Sequence, residues 1–155
     1  MPRSQKADNS GRKLSNFLCF AVYSANLAFG RAYKPILDAL GLTYTQYIAM
    51  VALNEEDDQT VGMLGEKLFL ESNTLTPILK KLEQMGYLRR GRDPADERQV
   101  RVSLTPAGRR LLEKDLGTSL LEATGLGEEF PVVQKTVATL RDNLLRATRG
   151  ESEKS

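Results

Sequence analysis

The sequence contains a single cysteine, Cys19, and no histidine among its 155 residues. The lack of histidine excludes a Ser-His-Asp triad, a Cys-His pair and a His-ligated metal site. A lone cysteine also excludes an intramolecular disulfide, a CxxC redox pair and a multi-cysteine zinc site. We therefore expect no metal and no cofactor. What remains for Cys19 is the chemistry of one thiol, which attacks electrophiles as the thiolate and can be oxidised in steps.

The surroundings of Cys19 leave two interpretations open. Tyr23 follows one helical turn later, and a phenol O–H can donate to a thiolate. Arg12 and Lys13 add positive charge nearby, and the start of a helix would add a favourable dipole. Alternatively, Cys19 is an inert packing residue in an apolar helix, and Tyr23 is an ordinary neighbour on the same face. These residues alone do not decide between a reactive and a structural thiol.

The net charge of +2 conceals an uneven distribution of charge. Residues 72–104 carry seven basic and four acidic side chains, whereas residues 53–71 carry six acidic and one basic. A basic cluster on a near-neutral chain favours one surface that faces a polyanion. Ordinary solvated helix faces would produce the same counts.

The first third of the chain has the pattern of two helices. In residues 14–40, apolar side chains recur at steps of three and four, which is helical periodicity. Pro35 should bend or interrupt this helix, and Gly41 should end it. Thr43–Gln46 has the form of a capping box and starts a second helix. The acidic run 54–58 is interpreted as a solvated turn.

The middle of the chain predicts a helix-turn-helix. Thr60 caps a short helix over residues 61–70, and Ser72 caps a second over residues 73–85. The second helix turns an apolar stripe inward, formed by Leu75, Ile78, Leu79, Leu82 and Met85. Its outward side is polar and basic.

A hairpin directly after this unit is typical of a wing. Residues 87–92 and 99–104 form its strands, and the charged turn 93–98 forms its tip. Thr105-Pro106 opens a further helix with apolar positions through Leu121. A break at 125–127 precedes a last helix over residues 130–148.

These elements predict a mainly α chain with a small β-hairpin wing. The expected fold is a winged helix-turn-helix flanked by N- and C-terminal dimerisation helices, since the terminal helices carry more apolar surface than one small unit can bury. We expect a flexible arm at 1–13, a single domain at 14–148 and a frayed tail at 149–155. The domain divides into N-terminal helices at 14–58, the winged unit at 59–104 and dimerisation helices at 105–148. No export signal or membrane span is evident, which predicts a cytoplasmic protein.

Two sets of motifs carry a family resemblance. The wing and the following helix start, Asp96-Glu-Arg98 through Leu104-Thr105-Pro-Ala-Gly108, resemble the Asp-x-Arg…Leu-Thr-x-x-Gly pattern of MarR-family winged-helix transcription regulators. The stretches Leu18–Tyr23, Tyr33–Pro35, Leu42–Tyr47 and Leu70–Pro77 are similar to the one-cysteine organic hydroperoxide resistance regulators. The resemblance covers roughly residues 14–110.

The resemblance implies a homodimeric repressor that is released from its operator by an organic hydroperoxide. Cys19 takes the position of the redox-sensing cysteine near the start of the first helix. Tyr33 and Tyr44 match the tyrosines that stabilise the thiolate across the dimer interface, and Tyr23 matches a third beside it. Because no second cysteine is present, we expect a small external thiol to resolve oxidised Cys19, or overoxidation to occur.

The resemblance also implies double-stranded DNA with a pseudo-palindromic operator as the partner. Arg98 would enter the minor groove and Asp96 would orient it, while lysines would meet phosphates. The expected DNA-binding residues are Glu71, Ser72, Asn73, Thr74, Thr76, Pro77, Lys80, Lys81, Arg90, Asp96 and Arg98.

Three alternatives stay open. The first is a MarR-type repressor that is released by a small phenolic or aromatic ligand, with Cys19 only structural. The second is an enzyme such as a thiol peroxidase, which would leave the wing without a purpose and Cys19 without an activating Arg or Thr close in sequence. The third is a constitutive architectural DNA-binding protein that responds to no inducer.

Overall fold

A computed structural model describes residues 12–114 and 117–152 of the chain. The backbone forms two compact units that divide between residues 114 and 115, and each is described by itself. The described parts of the predicted arm and tail are residues 12–13 and 149–152. The rest of both segments lies outside the described residues.

The first unit begins with two helices. A 3-10 turn over Leu14–Asn16 leads into α1 (Leu18–Leu40), and α2 follows at Tyr44–Glu55. Gly41 ends α1 in left-handed backbone at φ 71°, as expected. The predicted capping box is present, since Thr43 Oγ1 accepts from Gln46 N–H and the Gln46 side chain accepts from Thr43 N–H. Pro35 lies inside α1 and does not interrupt it.

The winged unit follows in the order β1 (Gln59–Thr60), α3 (Val61–Leu68), α4 (Ser72–Gln84), β2 (Leu88–Arg92), β3 (Val100–Leu104) and α5 (Pro106–Leu112). Thr60 caps α3 as predicted, because its Oγ1 accepts from Met63 N–H at 3.1 Å. The sheet is antiparallel in the order β1-β3-β2, and Arg90 pairs with Val102. The two-residue strand β1 was not predicted, since it is too short to show alternation.

The core of the first unit is built from α2, α3, α4 and the sheet. Its fully buried large side chains come from each of these elements and are Met50, Leu53, Leu64, Leu75, Leu79, Leu82 and Val102. Burial of each such side chain stabilises the unit by roughly 1.5–3 kcal/mol. From α1, only Leu37 and Leu40 in its last turn are buried. These two anchor the segment after Pro35, which explains why the helix continues through a residue that removes one hydrogen bond.

Thr105 joins the wing to α5. Its Oγ1 donates to the carbonyl oxygen of Gly86 at 2.6 Å and accepts from Gly108 N–H at 3.2 Å. Gly108 packs so closely that an added Cβ would lie 2.5 Å from the carbonyl oxygen of Tyr87. The start of α5 is therefore fixed against the turn that follows α4.

The sequence predicted a solvated turn for the acidic run 54–58. The structure differs, because two aspartates of this run form bonds within the fold. Asp57 Oδ1 accepts from Leu104 N–H at 2.9 Å, and Asp57 pairs with the guanidinium of Arg109. Asp58 adopts φ 55° and binds Arg101 of β3. These aspartates tie the end of α2 to the last strand and to α5.

The second unit consists of α6 (Gly117–Ala123), a 3-10 turn (Gly127–Glu129) and α7 (Phe130–Ser152). The sequence predicted one helix from residue 106 through 121, whereas α5 ends at Leu112 and α6 begins at Gly117. The last helix runs four residues beyond its predicted end. In the described ranges no single helix combines the length and hydropathy of a membrane span, and α1 with α2 meets that test only as a pair bent by 74°.

Candidate DNA-binding surface and cysteine site

The turn between α3 and α4 is tight because Gly65 leaves room for it. A Cβ at Gly65 would lie 2.7 Å from the carbonyl oxygen of Leu70, closer than real Cβ contacts allow. Phe69 ends α3 in left-handed backbone at φ 58°, and its N–H donates to the Glu66 carbonyl oxygen. This packing fixes the start of α4 against α3 and forms the predicted helix-turn-helix.

Helix α4 has one buried face and one exposed polar face. Leu75, Leu79 and Leu82 are fully buried. The exposed residues on the other side are Ser72, Asn73, Thr74, Pro77, Lys80 and Lys81. Thr76 is half-buried, and its Oγ1 donates to the Ser72 carbonyl oxygen at 2.7 Å while its lone pairs can still accept. The face toward solvent therefore carries short polar groups at the start of α4 and lysines further along.

The N-cap of α4 is Glu71, and the prediction that Ser72 caps this helix was wrong. Glu71 has extended backbone, and its carbonyl oxygen accepts from the N–H groups of Thr74 and Leu75 at 3.0 and 2.9 Å. The Glu71 side chain makes no capping bond. Ser72 is thus the first helical residue, and its hydroxyl is not used as a cap.

The wing presents Arg98 at its tip. Asp96 Oδ1 accepts from both the backbone N–H and the Nε–H of Arg98, at 3.1 and 3.2 Å. The Arg98 side chain is 90% exposed. An exposed ion pair of this kind contributes little to stability. Its structural effect is to hold one cation in a defined position at the end of the hairpin.

Arg101 connects the base of the wing to the body of the unit. Its guanidinium donates to Asp58 Oδ1 at 3.0 Å, to the Asp58 carbonyl oxygen at 2.6 Å and to Asp93 Oδ2 at 3.1 Å. These carboxylates raise the pKa of Arg101, with Asp58 the larger cause. The Ala95 N–H and then the Arg101 guanidinium hold the pKa of Asp93 below its usual value. Arg101 thereby bridges β3, the wing turn and the segment before β1.

Arg90 is engaged with α4. Its backbone N–H donates to Glu83 Oε2 at 3.0 Å, and its guanidinium pairs with Glu83 Oε1 at 3.3 Å. A cleft of about 290 Å³ separates the start of α4 from the wing. Four of the residues predicted to bind DNA line this cleft, namely Ser72, Thr76, Arg90 and Arg98.

Lys81 lies apart from this cleft. It lines a second, open cleft of about 560 Å³ together with Asp38, Gln46 and Met85. This cleft is formed by the end of α1, the start of α2 and the far part of α4. The structure therefore does not bring Lys81 together with the residues near the wing.

Cys19 is the second residue of α1 and is exposed. Its predicted place near the start of the first helix is confirmed. Tyr23 follows one turn later, is 60% exposed, and its ring centroid lies 6.4 Å from that of Phe20. In the described residues, no group of three or more His, Cys, Asp or Glu could hold a metal ion.

Tyr33, Tyr44 and Tyr47 form an aromatic cluster at the junction of α1 and α2. The rings of Tyr33 and Tyr44 meet edge to face with centroids 5.2 Å apart, and Tyr47 lies 6.4 Å from Tyr33. Burial, with smaller effects of Tyr44 and Tyr47, raises the pKa of Tyr33 above that of a free phenol. The Tyr33 O–H consequently keeps its proton and stays a hydrogen-bond donor across the physiological range.

Within one chain, Cys19 and Tyr33 are far apart. They lie on the same continuous helix, fourteen positions apart. At about 1.5 Å per residue, this corresponds to roughly 21 Å along the axis of α1. No phenol of the cluster therefore reaches the thiol of its own chain.

The first four turns of α1 expose large apolar side chains. Leu18 is 62% exposed, Val22 41%, Leu27 48% and Phe29 48%. Several large apolar side chains exposed on one helix favour an interaction site, since monomeric proteins seldom leave so much apolar surface uncovered.

Comparison with known proteins identifies the family. The sequence profile described as "Transcriptional regulator SarA/Rot" matches residues 31–114, more than half of the chain. The chain belongs to the SarA/Rot-type winged-helix transcriptional regulators. Solved structures of MarR-type regulators share the fold, which confirms the predicted fold class.

Three relatives of this SarA/Rot-type regulator are similar over most of their length. It is 43% identical to the HTH-type transcriptional regulator TtmR of Methylorubrum extorquens, covering 98% of this chain and 81% of the relative. It is 42% identical to the organic hydroperoxide resistance transcriptional regulator of Bacillus subtilis, covering 85% of this chain and 92% of the relative. It matches the solved structure of reduced AbfR bound to DNA at a TM-score of 0.73 and 34% identity, covering 90% of this chain and 98% of the AbfR chain. The protein is a transcriptional regulator and not an enzyme.

Two features of this SarA/Rot-type regulator escaped the sequence-based prediction. Arg101 was counted only as a basic residue, because its partners Asp58 and Asp93 lie on other segments. Tyr47 was part of a matching motif but was given no role. A signal for Tyr47 was present, since it follows Tyr44 by three residues and so shares its side of α2.

Proposed function

We propose that this regulator is a homodimeric repressor that senses organic hydroperoxides through Cys19 and then releases its operator. The observation that carries the proposal is the separation of the sensor parts along α1. Cys19 lies on an exposed apolar helix face, and the phenol donors suited to it lie roughly 21 Å further along the same helix. A second chain that packs against α1 can supply those donors to Cys19.

The exposed apolar face supports the homodimer. The exposed side chains of α1 cannot be covered by the first unit, because its core is already closed by α2, α3, α4 and the sheet. A two-fold related copy would bury the same face on both chains. Tyr33 and Tyr44 of each chain would then face Cys19 of the partner, with Tyr23 beside the thiol.

The proposed chemistry uses one thiol and one peroxide. The Cys19 thiolate attacks the distal oxygen of the hydroperoxide, an S–O bond forms, the O–O bond breaks, and the alkoxide takes up a proton and leaves as an alcohol. Cys19 is oxidised to the sulfenic acid and the peroxide is reduced. A small external thiol then condenses with the sulfenic acid, releasing water and forming a mixed disulfide, or a second peroxide takes it to the sulfinic acid. The exposed Phe17 and Phe20 favour apolar peroxides.

On the DNA side, the proposal places the start of α4 in the major groove and the wing tip in the minor groove. The hydroxyl and amide groups of Ser72, Asn73 and Thr74 are suited to base edges and phosphates. Arg98, held by Asp96, is suited to a narrow minor groove. Lys80 and Lys81 are assigned to phosphates, and Arg90 to positioning through Glu83. Such a regulator acts where the DNA is, which places it in the cytoplasm.

A gel shift on the protein's own promoter tests the proposal. Reduced protein should shift the DNA, and cumene hydroperoxide should abolish the shift for the wild type but not for Cys19→Ser. Mass spectrometry should find a mixed disulfide on Cys19 when a small thiol is present and a sulfinic acid when it is absent. Release of the Cys19→Ser variant by the peroxide would overturn the sensing role.

The same experiment addresses the ligand-released alternative. The open cleft lined by Asp38, Gln46, Lys81 and Met85 favours this alternative, since a cation and an amide beside apolar groups suit an aromatic acid, while the Asp38 carboxylate is already paired with Lys34 at 3.0 Å. If an aromatic acid releases both the wild type and Cys19→Ser while the peroxide releases neither, the regulator is of this second kind.

A further inference from the structure

Helix α1 carries a heptad pattern that changes from exposed to buried along its length. Cys19, Asn26, Tyr33 and Leu40 are spaced by seven residues, and Tyr23, Gly30 and Leu37 form a second row beside them. Two such rows define one stripe of a helix that packs against a neighbour. Leu37 and Leu40 are buried in the chain's own core at 5% and 9% exposure. The four turns before them carry the same stripe into solvent.

We infer that this stripe crosses the α1 stripe of a second copy antiparallel, with the two-fold axis at Asn26. This inference rests on the proposed function, in which Cys19 of one chain meets Tyr33 of the other. Residue 26 is midway between positions 19 and 33. Two-fold symmetry about a point between two helices pairs each position with the one equally far on the other side, so Asn26 meets the same residue of the second copy.

The stripe, together with Val22 and Phe29 that flank it, is self-complementary about this point. Symmetry places Val22 opposite Gly30 of the second copy, a branched side chain against a residue without one. An added Cβ at Gly30 meets nothing within 4 Å in the single chain, so the space above it is open. Symmetry likewise places Tyr23 opposite Phe29 of the second copy, two aromatic rings that are 60% and 48% exposed in the single chain. A large residue thus faces a small one, and an aromatic ring faces an aromatic ring.

Asn26 is the polar residue in this stripe, and the symmetry axis is where its amide can be satisfied. In the described residues the Asn26 side chain is exposed and has no hydrogen-bond partner within the chain. At the axis, each amide N–H donates to the amide oxygen of the other chain, which gives two reciprocal bonds. A slip along the helix would leave both amides buried without partners. A single buried Asn sets the register and orientation of paired helices in this way, and here it would set which tyrosine faces Cys19.

Disulfide cross-linking of full-length protein tests the axis, and the single native cysteine makes the test clean. Asn26→Cys in the Cys19→Ser background should form a covalent dimer on mild oxidation, seen on a non-reducing gel. Ala28→Cys in the same background is the matched control, because it lies two residues away on the opposite side of α1. It should stay monomeric on the gel. If Asn26→Cys stays monomeric there while light scattering reports a dimer, the axis is elsewhere and the inference is overturned.

A second cross-link separates this inference from the proposed function. Tyr33→Cys with native Cys19 retained should form an interchain disulfide, since the two thiols of one chain lie roughly 21 Å apart. A cross-link here but none for Asn26→Cys would keep the interchain sensor site and overturn the crossing point. Failure of this cross-link itself would overturn the proposed sensor site and the crossing point that rests on it.

Asn26→Asp gives a readout that does not depend on a disulfide. Two carboxylates at the axis repel each other when ionised, so the variant should dissociate at least tenfold more readily than the wild type at pH 7. The difference should close as the pH is lowered through the carboxyl pKa, with the wild type measured beside it by sedimentation. Equal dissociation of both proteins at pH 7 would contradict a contact between the two Asn26 side chains.

Discussion

At the scale of single residues, some side chains assigned to function pack against other side chains of the chain, and others are exposed. Tyr33 is packed among two other phenols and keeps its proton, whereas Cys19 is exposed at the start of α1. Arg98 is held by Asp96 yet is almost fully exposed. Cys19 and Arg98 thus lie at defined positions but remain accessible. Single substitutions at the residues assigned to function should therefore change reactivity or binding more than stability.

Tyr33→Phe should slow the oxidation of Cys19 by an organic hydroperoxide. A hydrogen bond to a charged group is worth about 1.5–3 kcal/mol, which corresponds to roughly 10–100-fold in rate. Stopped-flow detection of sulfenic acid with a trapping dimedone reagent measures this rate. Tyr87→Phe, at the start of the wing, is the control and should react at the wild-type rate. An unchanged rate for Tyr33→Phe would remove this phenol from the sensor site.

Arg98→Ala should weaken binding to the operator by roughly 10–100-fold, since a specific groove contact is worth about 1–3 kcal/mol. Arg98→Lys keeps the charge but loses the planar fork that Asp96 orients, so it should recover only part of the affinity. Fluorescence anisotropy with a labelled operator measures both. Wild-type affinity for Arg98→Ala would show that the wing tip does not touch DNA.

At the scale of elements, the features that were predicted correctly are those that depend on residues close together in the sequence. Thr43 and Thr60 cap α2 and α3 as predicted, because a cap is a contact over three residues and is visible in the sequence. The Ser72 cap failed by one residue, since Glu71 and Ser72 both precede a helical pattern. Strand β1 and the Arg101 bridge were not predictable, because each exists only through a partner some 40 residues away.

Two glycines of α3 should respond in opposite ways to alanine. Gly65→Ala would press a Cβ against the Leu70 carbonyl oxygen and should destabilise the protein by about 1–3 kcal/mol. A Cβ added at Gly62 would lie 3.9 Å from its nearest neighbour, Thr60 Oγ1, which is an ordinary contact distance. Gly62→Ala should therefore stabilise by about 0.5–1 kcal/mol, because alanine restricts the unfolded chain. Urea unfolding measures both, and equal stabilities would contradict the tight turn between α3 and α4.

The wing base should lose stability in acid through Asp93. Its pKa is lowered in the folded protein by the Ala95 N–H and by Arg101, so the folded state favours the carboxylate. This contribution is fully present above the ordinary Asp value of 3.8 and is lost as pH falls through the lower folded value. Asp93→Asn should lower the Tm by a few degrees at pH 7, and the difference from the wild type should close in stronger acid. A difference independent of pH would assign the loss to packing instead.

At the scale of the whole molecule, the charge distribution is what a near-neutral DNA-binding protein requires. The basic residues of α4 and the wing lie on the unit that carries the helix-turn-helix, and the acidic residues 57 and 58 are used within the fold by Arg109 and Arg101. Apart from β1 and the break between α5 and α6, the element order followed from the sequence. The uncovered face of α1 could not be assigned from one chain's pattern, because the proposed partner is a second molecule.

Operator binding by the proposed dimer should fall steeply with salt. If each subunit neutralises several phosphates, the affinity should drop by roughly 10³–10⁵ between 50 and 200 mM salt. Anisotropy titrations over that range give the slope of log affinity against log salt. Lys80→Ala should make the slope shallower by about one for each phosphate that its ammonium group had neutralised. A slope near zero would contradict the proposed footprint.

The two hydrogen bonds of the Thr105 hydroxyl give the molecule a stiff joint. The hydroxyl donates to the Gly86 carbonyl oxygen in the turn after α4 and accepts from Gly108 N–H in the first turn of α5. Gly108 also packs closely against the backbone of Tyr87. The turn after α4 and the start of α5 are thus held together and should move as one piece. In the proposed dimer, a displacement of α5 would therefore move the turn after α4 with it and change the spacing of the two α4 helices on DNA.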